Sequence, residues 1–471
     1  MLILFIGIAA LFLGYYFYSR VLEKAIRPLR DTTPAVTKYD GIDYIPMNKS
    51  KSLMIQLLNI AGTGPIFGAL MGAKWGPIVF LWIIFGTILG GAVHDYVSGM
   101  MSMRNGGSSV TGLITKYLGR WTRYPMLILI VFLMIMVSAT FARSASDLLM
   151  DITGLPVVFW MVVILIYFMA STILPIDKLI GKIYPFFGIL LIAMAVLIIA
   201  GLWISGYPFP EITLDNLHPT GDQFYPDMFI VVACGAISGF HATQSPMMAR
   251  CAKDERDGRL IFYGAMAIES AIALIWALAG LTFYGGTGRL MDALNLGGAA
   301  TVVYDISMSI AGPIGGILAI IGVIVCPITT GDTALRSARL MIQDDTKTHS
   351  RSLRSSFILT CILSVFVIGL CLLDFSMLWQ YFSWLNQTLA CIVLWTCTVF
   401  LLKISVSKFY SLLTALPALF MTMTVTSYIL HAGQGLGLDY TLSLAIAAFI
   451  TVVAAVMYVR EFVSVVSGTE E

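Results

Sequence analysis

Charge is what this chain has least of: 11% of its 471 residues are Asp, Glu, Lys or Arg, and 58% are hydrophobic. A soluble globular chain carries about 25% charged residues, so water is excluded as the solvent for most of this surface. The basic residues are scattered and form no compact run, so nothing points to nucleic acid. The seven cysteines, Cys234, Cys251, Cys326, Cys361, Cys371, Cys391 and Cys397, are odd in number and contain no C-x-x-C pair. A disulfide framework and a zinc site are therefore not expected, and the cysteines read as small core side chains. No G-x-S-x-G or H-E-x-x-H motif occurs, and no paired catalytic aspartates. Gly62 and Gly64 lack the strand and glycine pattern of a dinucleotide fingerprint. No basic n-region or small-x-small cleavage site accompanies the first apolar run, Leu2 to Tyr18, and Arg20 lies two residues beyond it. That run is expected to stay as a helix with its N-terminus outside.

Long apolar runs are what the chain has in their place, with a mean hydropathy of +0.89. A helix crossing the hydrocarbon core needs roughly 20 apolar residues. The windows give about thirteen spans, roughly 2–19, 54–72, 76–103, 124–146, 156–173, 183–205, 226–247, 259–284, 312–333, 355–373, 377–402, 409–430 and 440–459. With the N-terminus outside and the C-terminus in the cytoplasm, only Lys74, Arg143 and Arg289 of the 28 Lys and Arg fall outside. The opposite orientation inverts that ratio, so the positive-inside rule selects this one.

Two spans are interrupted. The first holds Ala61-Gly62-Thr63-Gly64-Pro65, and the second Gly235-Ala236-Ile237-Ser238-Gly239-Phe240-His241, continuing to Ser245-Pro246. Glycine costs about 1 kcal/mol and proline about 3 inside a helix relative to alanine. In lipid such a break survives only where it faces protein or a watery cavity. The breaks lie five spans apart, and the two blocks of five spans run in opposite directions. The expected fold is therefore an all-α polytopic membrane protein with an inverted 5+5 repeat of LeuT/APC-like type, two discontinuous helices, and extra N- and C-terminal helices. Its parts are an N-terminal helix and cytoplasmic linker (1–52), the first repeat (53–205), an extracytoplasmic loop (206–225), the second repeat (226–402) and a two-helix extension (403–471). Simple kinking by membrane Gly and Pro is the plainer alternative.

The residue blocks Ile60 to Ala69 (IAGTGPIFGA), Gly90 to Tyr96 (GGAVHDY), Arg104 to Ser109 (RNGGSS), Cys234 to Ala242 (CGAISGFHA) and Thr329 to Arg339 (TTGDTALRSAR), with Asn386-Gln387 after Trp384, resemble the carbon starvation protein A family. That resemblance implies a bacterial inner-membrane uptake protein induced by starvation, linked to peptide use and, in some members, to pyruvate–proton symport. Long members carry a further C-terminal multi-helix region, so this chain resembles a compact version. It departs from the family pattern at Gly68-Ala69 and at Thr330-Gly331-Asp332-Thr333. Those departures bear on substrate and coupling ion more than on fold.

Helix halves that open at a break present free N–H groups and a positive dipole end, which suit a carboxylate. Gly62, Thr63, Gly64, Ser238, Gly239 and His241 are the expected substrate-binding positions. The expected coupling positions are Asn59, Ala61, Thr329, Thr330, Asp332, His94, Asp95 and Glu269. Asp332 with two threonine hydroxyls and free carbonyls makes an oxygen set for Na+ or a proton; alternatively it caps its helix or pairs with Arg336. His94 and Asp95 are costly to bury and read as a proton relay, or as a lock in which Asp95 pairs with a residue such as Arg104. His241 could carry a proton or simply pack, and Glu269 has no evident partner, so it faces water or is protonated. Asn386 and Gln387 read as interhelical hydrogen-bond glue or as a gate. Trp379, Tyr381, Phe382 and Trp384 read as interface anchors.

The reading is a secondary active transporter importing a peptide or a small carboxylate such as pyruvate. It would work by alternating access, coupled to H+ or Na+, with no other cofactor and no metal. The solute and the lipid bilayer are its expected partners. An intramembrane enzyme, or a channel or nutrient sensor on the same fold, is the alternative.

Overall fold

Backbone groups in hydrocarbon have no water to bond, so each apolar segment must satisfy its own N–H and C=O groups. The chain does this with helices, and no β-strand occurs among the described residues. The computed structural model describes residues 1–29, 33–41, 43–173, 180–346 and 353–467. Arg30, Lys178, Lys347 and Arg351, part of the inside basic set, lie outside the described residues.

The helices are α1 (Leu2–Ile26), α2 (Lys49–Ile60), α3 (Gly64–Trp75), α4 (Ile78–Arg104), α5 (Val110–Leu118), α6 (Arg120–Thr153), α7 (Val157–Thr172), α8 (Ile180–Ile204), α9 (Asp227–Val231), α10 (His241–Ala249), α11 (Glu255–Phe283), α12 (Thr287–Thr346), α13 (Leu353–Cys371), α14 (Phe375–Ile404), α15 (Lys408–His431) and α16 (Tyr440–Ser467). Among the described residues ten are long and apolar enough to cross a membrane, and α2 with α3, bent by 56°, makes an eleventh span. This is a multi-pass membrane protein. The long α12 holds two non-helical glycines, Gly298 (φ 73°) and Gly312 (φ 66°), so it bends twice before its buried second half.

The two interrupted stretches are pressed together in the centre. A Cβ on Gly64 would stand 2.3 Å from Cys234 Cβ, and one on Gly235 would meet Ala273 at 3.0 Å and Pro65 Cα at 3.8 Å. A Cβ on Gly62 would strike the Phe141 ring at 2.4 Å. The glycines are therefore required by close approach as well as by the break itself. Around this pair, α6 packs extensively on α12, and α14 lies against α6 and α4. The outer ring, α1, α8, α13 and α16, shows its aliphatic side chains outward, as lipid demands.

At one end, the linker before α2 is stitched to the segment after α10. Met47 N–H donates to the Cys251 carbonyl (2.8 Å) in a parallel bridge with Ala252, and the Thr33 hydroxyl donates to the Ala252 carbonyl (2.6 Å). At the other end the 206–225 loop covers the tip of α3. Trp75 Nε1 donates to the carbonyls of Asp222 and Gln223, and its ring packs on His218 at 4.6 Å.

Candidate functional site

Four ionisable side chains that the sequence scatters over 176 positions form one buried chain. His94 Nδ1 lies 2.8 Å from Asp95 Oδ1, and His241 Nδ1 lies 2.9 Å from Asp95 Oδ2. The other ring nitrogen of His241 faces Glu269 Oε2 at 3.5 Å. All four side chains are fully buried. They come from α4, the first residue of α10 just past the second break, and the middle of α11.

Local backbone geometry aims these groups. The turn Thr87–Gly91, just before His94, is a π-turn, as are Arg259–Gly264 before Glu269 and Gly64–Gly68 after the first break. A π-turn adds a residue and rotates the helix beyond it, and such turns gather at functional sites. Gly91 lets α4 approach the second break, since a Cβ there would stand 2.2 Å from the Ala236 carbonyl oxygen. Thr87 also bonds Ser270 at 2.6 Å, one residue from Glu269.

Asp95 does not pair with Arg104. Nine residues along a helix is two and a half turns, which puts the two on opposite sides. Arg104 turns instead to Glu255 (3.4 Å) and donates to the Arg27 carbonyl.

The second break is held by α14. Asn386 Oδ1 accepts from the Phe240 N–H (2.7 Å) and the Ser238 hydroxyl (3.1 Å), and its carbonyl accepts from the Gly239 N–H (3.2 Å). Gln387 donates to the Ile237 carbonyl (3.1 Å). Asn386 and Gln387 are thus interhelical glue at the break itself. Trp379 and Phe382 are buried and pack on Phe67 and Phe141, so they belong to the core.

At the first break, Gly62 N–H closes on the Ile60 carbonyl (2.8 Å), and Ala61 leaves the helical region at ψ 66°. The Thr329 and Thr330 hydroxyls both lie 3.0 Å from the Leu58 carbonyl oxygen, in the last turn of α2. Asp332 turns to α7, where Ser171 donates to it (2.9 Å) and Tyr167 adjoins it. Arg336 donates to the Ser171 carbonyl and stands 3.6 Å from Asp43. The structure therefore brings Thr329 and Thr330 to the break and sets Asp332 among α7 side chains. Asn59 and Thr63 are buried with side-chain polar atoms that no group among the described residues bonds; the same holds for Gln56, one turn earlier. Gln56 is a position that sequence reasoning missed, although two carboxamides three residues apart, at 56 and 59, in an apolar helix are a legible signal.

The family profile of the carbon starvation protein CstA matches residues 1–205, 144–294 and 291–428. The chain belongs to the CstA family. An uncharacterized membrane protein of Haemophilus influenzae is 40% identical over 353 residues, covering 63% of this chain and 95% of that protein. The peptide transporter CstA of Helicobacter pylori is 26% identical over 64% of this chain and 54% of its own length. The pyruvate/proton symporter BtsT of Escherichia coli is 25% identical over 58% and 48%. This CstA-family chain thus spans about half the length of those two curated relatives. Among solved structures, MhsT in complex with L-phenylalanine aligns over 87% of the chain (TM-score 0.56, 14% identity). A manganese transporter of Eremococcus coleocola aligns over 90% (TM-score 0.58, 12% identity). At such identities the likeness is one of fold, that of the LeuT-type transporters. The named relatives and these neighbours are transporters, not enzymes.

Proposed function

We propose that this CstA-family protein is a proton-coupled carrier that imports a small organic solute by alternating access, with His241 as the coupling residue. One observation carries the reading. His241 stands at the start of the helix just past the second break and bridges Asp95 and Glu269 on two other helices. Two carboxylates and two imidazoles, wholly buried, are strongly unfavourable unless protons balance their charge. Gain or loss of a proton there changes the attraction between α10 and the α4–α11 pair, biasing one arrangement of the broken helix over another.

In this reading the chain crosses the membrane thirteen times. Residues 53–205 and 226–402 form the inverted repeats, 206–225 lies outside, 1–52 provides the first helix and an inside linker, and 403–471 adds two helices. Met47 lies beside Ala252, Gly64 beside Cys234 and Trp75 beside the Asp222 and Gln223 carbonyls, so α2–α3 and α9–α10 run in opposite directions, which supports that division. The distribution of Lys and Arg supports an outside N-terminus and a cytoplasmic C-terminus in a bacterial inner membrane.

Uptake of labelled pyruvate, amino acids and dipeptides into proteoliposomes, under imposed proton or sodium gradients, tests the proposal. Accumulation driven by an inward proton gradient is expected. Accumulation indifferent to pH and driven by sodium would replace it with a second reading, in which Thr329, Thr330 and the Leu58 carbonyl offer oxygens to Na+ beside the first break.

A further inference from the structure

A groove of about 580 Å³ opens between α4 and α15, with Tyr18 of α1 and Met228 and Phe229 of α9 completing its walls. Its rims, Leu81, Phe85, Leu89 and Leu416, are exposed, so it faces the bilayer. The volume is that of a ligand site rather than a packing defect. No Lys, Arg, His, Asp or Glu lines it, and among the lining residues only Tyr18 and Trp82 carry an O–H or N–H side chain. Trp82 is 8% exposed, and its indole N–H has no hydrogen-bond partner among the described residues. Phe229 and Phe420 hold the ring at 4.7 and 5.5 Å, and its Cε3–Cζ3 edge lies over Gly86, where a Cβ would stand 2.8 Å away. The N–H is on the opposite edge, turned away from that glycine. Buried indoles ordinarily find an acceptor, and an unpaired donor in hydrocarbon has no water to turn to. The groove is therefore completed by an occupant that is apolar along its length and brings one neutral acceptor to Trp82.

Depth says which acceptor. With 27 residues α4 is about 40 Å long, roughly 10 Å more than the hydrocarbon core. Centred in the bilayer, it sets Trp82, about 6 Å from its first residue, at the edge of the hydrocarbon, where the glycerol ester carbonyls of a phospholipid lie. From Trp82 to Gly90 the wall runs about 12 Å further, against about 15 Å for half the core, so a chain along it stays within one leaflet. We propose that this groove binds one acyl chain of an outer-leaflet phospholipid, whose ester carbonyl accepts from the Trp82 N–H. The leaflet follows from the orientation proposed above, in which Ile78 is the outside end of α4. A free fatty acid would bring a carboxylate, and no cation lines the groove to meet it. The bound chain lies against Ile237 in the second break and against Gly90, in the π-turn before His94. The same wall of α4 meets the break directly, since a Cβ on Gly86 would stand 3.0 Å from Ala236 Cβ. The lipid thus touches segments whose arrangement a carrier must change, and its occupancy biases one arrangement over another. The binding itself is independent of the solute and of the coupling ion.

The test uses the purified, full-length protein in lipid nanodiscs containing a diester phosphatidylethanolamine with a photoactivatable diazirine in one acyl chain. After illumination, labelled peptides are mapped by mass spectrometry. Label should concentrate on 78–90 and 412–421 relative to α16, whose outward side chains report ordinary contact with surrounding lipid. Unlabelled diester lipid should displace the groove label roughly two- to tenfold more effectively than its diether analogue, as loss of one neutral hydrogen bond does. Trp82→Phe should erase that difference. Leu416→Trp, which fills the groove from its exposed rim, should remove the groove label while the α16 label persists. If either variant fails to fold, the diester–diether comparison on the unaltered protein decides alone. Equal labelling of the groove and α16, or equal displacement by the two lipids, overturns the inference. So does stronger displacement by palmitate or by a long-chain quinone, or a groove shielded from label by a second copy of the chain, seen as a dimer in native mass spectrometry.

Discussion

Asp95 holds two imidazoles at once, one from its own helix and one from across the second break. Its replacement separates coupling from binding. Asp95→Asn and His241→Gln keep some hydrogen-bonding capacity but lose the proton site, so each should abolish accumulation driven by a pH gradient while solute exchange continues. Unaltered concentrative uptake in both would remove the cluster from the mechanism. Asp332→Asn is the matching control: with its carboxylate on Ser171, it should leave proton-driven accumulation intact. Loss of accumulation there would move coupling to the Thr329–Asp332 turn. Asn386→Ala strips the partners from the Phe240 N–H and the Ser238 hydroxyl, which should lower stability by about 1–3 kcal/mol. Asn386→Asp, which keeps the accepting oxygens, should restore most of the melting temperature. The sequence marked His94, Asp95, His241 and Glu269 one by one, because an ionisable group in an apolar span stands out on cost alone. Their union was not legible there, since 146 residues separate Asp95 from His241 and only packing makes them neighbours.

Glycine and proline mark the broken helices because their helix penalties are local and large, so both interruptions could be read from composition. What composition could not show is how the freed groups are satisfied. The second break uses a side chain from α14, and three π-turns rotate the flanking helices without any residue signature of their own. The contact between the breaks supplies its own test. Gly64→Ala drives a methyl into Cys234, so uptake should fall at least about tenfold while the protein still inserts. Adding Cys234→Gly removes the opposing Cβ and sulfur and should recover part of that loss. No recovery in the double variant would mean that Gly64 serves solute approach rather than packing between the breaks.

The two ends of the molecule differ in what holds them. At the end where α10 finishes, Arg250 pairs with Asp344 at 2.9 Å and Arg336 stands near Asp43. At the other end the 206–225 loop lies over Trp75, with His218 against the indole. Burial pushes the His218 pKa below its ordinary 6.5, with Asp222 acting the other way. The folded loop therefore favours the neutral ring. Its contribution is complete above about pH 6.5 and fades as pH falls toward the lowered value. The protection of the 206–225 amides, taken relative to their intrinsic exchange rate at each pH, should fall on acidification below about 6.5, and His218→Gln should flatten that dependence. Sidedness has a direct check as well: a cysteine at Lys49 should resist impermeant reagents added to intact cells, and one at Asp215 should react. The stitch between Met47 and the Cys251–Ala252 segment has a mechanical meaning. Joined at their feet and in contact at their waists, the two broken helices are expected to move together. The relative motion of a transport cycle would then fall between that pair and α6 and α12. Spin labels at 47 and 252 should then keep one separation through the whole transport cycle, while labels at 252 and 344 part and rejoin.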